Sequence, residues 1–227
     1  MAGAVRTHRK CTMAKIGILG VGNVGKQIAR LAAAHGHHVL LGNSRGPQDI
    51  PYDIVRELSE NGTRSTAQEV VAESDLLVVA IPLVNYSQIP QPPAGTIVVD
   101  AGNYYPDRDG VLPELEEGRT SMSELLQAHL PKARVVKAFN HVPAAALTEN
   151  VQPRGSENRQ ALIVAGDDPE ARVTVGALID EFGFDVLDIG ELAEGWRVER
   201  GTPSYMPRFN KEELAQKVGE AERHHTR

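Results

Sequence analysis

The run Gly20-Val21-Gly22-Asn23-Val24-Gly25 constrains the fold of this chain more than any other stretch. An apolar strand is expected directly before it, at Lys15–Leu19, and a helix directly after it, over residues 24–35. In that helix Val24, Ile28, Leu31 and Ala32 share one face, and Gly36 supplies a stop. Strand, glycine turn and helix in that order give G-x-G-x-x-G its meaning, because each glycine then has its own task. Gly20 would permit the tight turn, Gly22 would let the backbone approach a pyrophosphate, and Gly25 would let the helix pack on the strand. The unpaired amides and the dipole at the helix start would face the phosphates.

Apolar, β-branched runs alternate with helical patterns through the rest of the first two thirds, the signature of a parallel sheet covered by helices on both faces. Further strands are expected at residues 38–41, 75–81, 96–100 and 134–139, and short helices at 50–60 and 66–73. Ser123 is the expected N-cap of a helix that runs to Leu130. A second group follows, with strands at 161–165 and 185–189 around a helix at 169–182. The fold class is therefore α/β, a Rossmann-type doubly wound, mostly parallel sheet with a small C-terminal α/β extension. The expected division is a flexible N-terminal extension at residues 1–13, a dinucleotide-binding Rossmann domain at 14–150, and an extension at 151–227 completing the substrate site. The connection at 150–159 is too short to mark a boundary by itself, and continuation of one compact unit is the favoured reading.

Charge and composition exclude several classes of function. With 41% apolar and 24% charged residues and no apolar run near the roughly 20 residues that span a bilayer, a membrane protein is not expected. A formal net charge of -6 argues against a nucleic-acid partner, since backbone binding rests on clustered Lys and Arg. The single cysteine, Cys11, allows no internal disulfide framework and fits a reducing compartment, so the expected location is cytoplasmic. His224 and His225 are expected to mark a solvated helix end, and no metal site is expected.

The end of the second strand decides which nicotinamide cofactor the turn suits. An acidic residue there would accept from a ribose 2′-hydroxyl, whereas this chain has Gly42, Asn43, Ser44 and Arg45. Amide and hydroxyl donors beside a cation suit a 2′-phosphate, although the same residues also make an ordinary polar turn. NADP(H) is the expected cofactor. Ligands in open α/β sheets sit beyond the carboxyl ends of the strands, which places Ile81, Pro82, Asn103, Tyr104, Asn140 and His141 around the nicotinamide. His141 is a candidate acid or base, with a structural, hydrogen-bonded histidine as the other reading. No nucleophile and base stand at convincing spacing, which favours hydride chemistry carried by the cofactor.

Taken together, residues 20–25, Asn43-Ser44-Arg45-Gly46-Pro47, Val79-Ala80-Ile81-Pro82, residues 100–106 and 136–140, and Ala165-Gly166-Asp167-Asp168-Pro169 resemble the F420-dependent NADP reductase family. That family shares its fold with the cytosolic domain of the STEAP metalloreductases. The resemblance spans residues 15–189, and the Asn43-Ser44-Arg45 turn and Lys137-Ala138-Phe139-Asn140 are its most specific elements. It implies hydride transfer between NADPH and a deazaflavin such as coenzyme F420, or a flavin in the metalloreductase branch. The cofactor residues it implies, joined to the reading above, are Gly20, Val21, Gly22, Asn23, Val24, Gly25, Asn43, Ser44, Arg45, Ala80, Ile81, Pro82, Asn103 and Ala138, with Asn140 and His141 as candidate catalytic residues. Reduction of a flavin, a ferric ion or a small imine or carbonyl, and a non-catalytic NADPH sensor, stand as the alternatives. The expected partners are a small-molecule substrate or (deaza)flavin and a second copy of the chain in a homodimer.

Overall fold

The structure, a computed structural model, describes residues 13–223. Residues 1–12 of the expected extension over 1–13, and the pair His224 and His225, lie outside the described residues. Eight strands occur among the described residues: β1 (Lys15–Leu19), β2 (His38–Gly42), β3 (Gly62–Arg64), β4 (Leu76–Val79), β5 (Ile97–Asp100), β6 (Arg134–Lys137), β7 (Ala161–Val164) and β8 (Asp185–Asp188). The helices are α1 (Asn23–Ala34), α2 (Tyr52–Glu57), α3 (Ala67–Glu73), α4 (Pro106–Asp109), α5 (Pro113–Glu116), α6 (Met122–His129), α7 (Ala146–Glu149), α8 (Pro169–Glu181) and α9 (Lys211–Gly219).

The first six strands form one all-parallel sheet in the order β3-β2-β1-β4-β5-β6. The order reverses between β1 and β4, so the loops leaving these strands part and open a crevice at their carboxyl ends. β4 and β5 are buried at every position, as the Leu, Ile and Val of strands covered on both faces require, and Asp100 at the end of β5 is buried with them. β7 and β8 pair in parallel as a second, two-stranded sheet. It meets the first at an antiparallel bridge, where the Lys137 amide donates to the Ala165 carbonyl at 2.8 Å and the Ala165 amide donates back at 3.2 Å. One buried apolar cluster runs from Ile18, Leu41 and Phe139 to Leu162, Val175 and Phe182, so both sheets share a core. None of the described helices is long and apolar enough to cross a membrane.

Four local expectations are corrected. The helix expected over 50–60 shortens to Tyr52–Glu57, with 3-10 turns before and after it, because Pro51 has no amide to donate to a helix passing through it. β3 went unanticipated, since Gly62, Thr63 and Arg64 form a three-residue edge strand without an apolar side chain. The cap of α6 is Ser121, which accepts from the Glu124 amide in a capping box; Ser123 instead donates to Asp100 Oδ2 at 2.6 Å. The strand expected over 134–139 ends at Lys137, and Phe139 turns the chain with φ 65°, a left-handed conformation that is strained for an aromatic residue.

Candidate dinucleotide site

The three motif glycines are glycine for three different spatial reasons. Gly20 has φ 101°, and its amide donates to Gly42 O at 2.9 Å, which ties the turn to the end of β2. A side chain at Gly25 would overlap the Gly20 carbonyl oxygen, so helix and turn touch there. A Cβ at Gly22 would meet nothing within 4 Å. That glycine borders open space, and packing gives no reason for it.

Gly22 is also the N-cap of α1, where no side chain caps the helix and the first turn holds no acidic residue. The other helices of eight residues or more are capped: α6 by Ser121, α8 by Asp168 and α9 by Asn210. α1 therefore presents unpartnered amides and an uncompensated positive end to the crevice. Val21 and Val24 pack their side chains against the core beneath, and Asn23 is exposed.

At the end of β2, Asn43 Oδ1 accepts the Arg45 amide at 2.9 Å and folds the turn back on itself. Ser44 is exposed, and the Arg45 side chain, 74% exposed, pairs with Asp49 at 3.1 Å. The neighbouring strand brings Arg64, not singled out from the sequence, opposite Leu41. Only a β3 reading would have found it, and β3 has no apolar pattern to read.

On the other side of the crevice the Ala80 amide donates to Leu19 O at 2.8 Å, which sets Ala80, Ile81 and Pro82, all half-buried, beside the glycine turn. Asn103 Nδ2 donates to Asn140 O at 2.8 Å, and Asn140 Nδ2 donates to Asn103 Oδ1 at 3.1 Å and Val198 O at 2.9 Å. The two asparagines thus lock the ends of β5 and β6 together. Ala138 is fully buried, with its amide on Asp100 O at 3.1 Å. Beneath them lies an ion pair that sequence reading missed: Lys137 Nζ stands 3.3 Å from Asp100 Oδ2, with both side chains fully buried. Tyr86 and Ser123 hydroxyls donate to Asp100, and Lys137 also donates to Gly102 O at 2.7 Å. The acid that follows the apolar Ile97-Val98-Val99 run was the available signal.

His141 is turned inward. The residue is 1% exposed, and Nε2 accepts the β7 amide of Ile163 at 3.2 Å. Burial lowers its pKa from 6.5 to about 4; the Ser204 backbone opposes the shift and the Lys137 charge adds to it. The ring is thus a buried acceptor that ties the segment after β6 to β7.

Comparison with known proteins agrees with this architecture. Residues 15–104 match the model of the family described as NADP oxidoreductase, coenzyme F420-dependent. The chain is 35% identical over 188 residues to metalloreductase STEAP3 of Rattus norvegicus, covering 82% of this chain and 36% of that protein. The SMa0349 protein of Sinorhizobium meliloti superposes with a TM-score of 0.71 at 27% identity, over 88% of this chain and 96% of that one. A candidate F420-dependent NADP reductase of Arthrobacter sp. FB24 superposes with a TM-score of 0.64 at 27% identity, over 78% and 85%. Through residues 15–104, with the glycine turn and the crevice beside it, the chain is similar to the family of coenzyme F420-dependent NADP oxidoreductases, and it spans about a third of the length of the STEAP3 relative it matches.

Proposed function

We propose that this chain binds NADPH across the crevice between β1 and β4 and passes its hydride to a deazaflavin of the coenzyme F420 type. The observation that carries the reading is the uncapped start of α1 beside Gly22, where a Cβ would occupy free space. Unpaired amides, a positive helix end and room for close approach are what a pyrophosphate needs. The Asn43, Ser44 and Arg45 turn would receive the 2′-phosphate, and Ile81 with Pro82 would exclude water from one face of the nicotinamide. Bound NADPH supplies the hydride, and the protein's task is placement.

Asn103 and Asn140 hold the floor of the ring pocket through their mutual hydrogen bonds, and Ala138 lies in that floor. His141 keeps β6 against β7 and moves no proton in this scheme. The region from 151 onward is proposed to close the acceptor side, since Val198 O accepts from Asn140 and the Met206 amide donates to His141 O at 2.7 Å. The experiment is NADPH and NADH titration of the purified protein, followed by NADPH oxidation with coenzyme F420, FMN, ferric citrate and a cyclic imine. Tight NADPH binding with fastest turnover on F420 is expected. Equal affinity for NADH would overturn the cofactor choice, and NADPH binding without oxidation by any acceptor would make the protein a sensor.

A further inference from the structure

Arg64, at the carboxyl end of the edge strand β3 and beside the end of β2, is a cation whose surroundings leave its chemistry unfinished. It ends β3, directly opposite Leu41 of β2, and the Ser65 amide that follows donates to Leu41 O at 2.8 Å. The β2 chain leaves this point straight into Gly42 and Asn43, the turn over which a dinucleotide would lay its adenosine ribose. Arg64 Nε is buried and has no hydrogen-bond acceptor. Among the described residues its guanidinium makes no ion pair, and it lies 5.3 Å from the centroid of the Tyr52 ring.

A buried guanidinium N–H without an acceptor is unfavourable, and an oxyanion supplied by a ligand would satisfy it. Arg45, the cation that the sequence offers for a 2′-phosphate, already has a carboxylate at 3.1 Å from Asp49 and stands mostly in water. One half-neutralised, solvated arginine is a weak counterion for a phosphomonoester carrying about two charges. Arg64 has no such competitor. Its planar fork suits an oxyanion with two acceptor oxygens.

We infer that Arg64 is a second 2′-phosphate residue, which accounts for more of the discrimination between NADPH and NADH than Arg45 does. The inference rests on the proposed dinucleotide site and adds to it the residue that sets its selectivity. The test uses the full chain and four ligands: NADPH, NADH, 2′,5′-ADP and 5′-ADP. Arg64→Gln is expected to weaken NADPH and 2′,5′-ADP about ten- to a hundredfold while changing NADH and 5′-ADP less than about threefold. Arg64→Lys is expected to recover part of the loss, and Arg45→Ala to cost less than Arg64→Gln. The Tm without ligand is expected to stay level or rise in Arg64→Gln, because an unsatisfied buried donor is removed.

Retention of the NADPH preference in Arg64→Gln overturns the inference while leaving the dinucleotide site intact. A lower Tm with equal losses for all four ligands overturns it too, by making Arg64 a structural residue. Wild-type protein that binds 2′,5′-ADP no better than 5′-ADP overturns the NADPH reading and this inference together.

Discussion

Gly22 and Gly25, three positions apart in sequence, show how a single residue type answers opposite demands. Gly25 is glycine because the Gly20 carbonyl occupies the place of a side chain, and Gly22 although nothing does. Gly25→Ala is therefore expected to destabilise the ligand-free fold by about 1–3 kcal/mol, through overpacking at the turn. Gly22→Val is expected to leave the urea midpoint close to wild type and to weaken NADPH at least about a hundredfold, since the added side chain would fill the pyrophosphate's place. Paired urea melts and NADPH titrations read both effects. A Gly22→Val protein that binds NADPH within a few-fold of wild type would move the cofactor away from this turn.

At the scale of elements, the ends of β5 and β6 are held by polar groups rather than by apolar packing. The buried Asp100–Lys137 pair is satisfied by Tyr86, Ser123, the Gly102 amide and the Gly102 carbonyl, which offsets the desolvation that isolated buried charges would suffer. His141 extends that framework to β7 through Ile163. Because its folded pKa is lowered to about 4, the unfolded chain binds a proton that the native ring refuses between about 4 and 6.5. The contribution of His141 to stability is complete above pH 6.5, declines as pH falls through that window, and levels off below about 4. The expected loss is on the order of 3 kcal/mol. His141→Gln should flatten this part of the profile of unfolding free energy against pH. An unchanged slope would mean that the ring titrates freely, which would restore it as a candidate acid or base.

At the scale of the whole molecule, the question is whether residues 14–150 and 151–223 behave as one unit. The two sheets touch at a single bridge, yet Leu162, Val164, Val175, Phe182 and Phe184 lie in the same buried cluster as Ile16, Val39 and Phe139. His37 reinforces the seam, with Nε2 3.3 Å from Glu181 of α8. Neither part can bury its apolar face without the other. We expect one calorimetric transition whose calorimetric and van't Hoff enthalpies agree. Two resolved transitions would establish independent domains instead.

What the chain determines locally is what its short-range pattern encodes: the strand before the glycines, the alternation that yields a parallel sheet, the cap-free start of α1, and a turn after β2 lacking an acid. These follow from steric and hydrogen-bonding rules that act within a few residues. The strand β3 escaped because an exposed edge needs no apolar alternation, and with it Arg64, whose place beside the turn exists only through pairing with Leu41. The inward direction of His141 and the meeting of Asp100 with Lys137 depend on residues 22 and 37 positions away, respectively, so no local pattern announces them. Periodicity reports which faces are buried; only tertiary packing decides which buried polar groups meet, and which, like Arg64 Nε, are left without a partner.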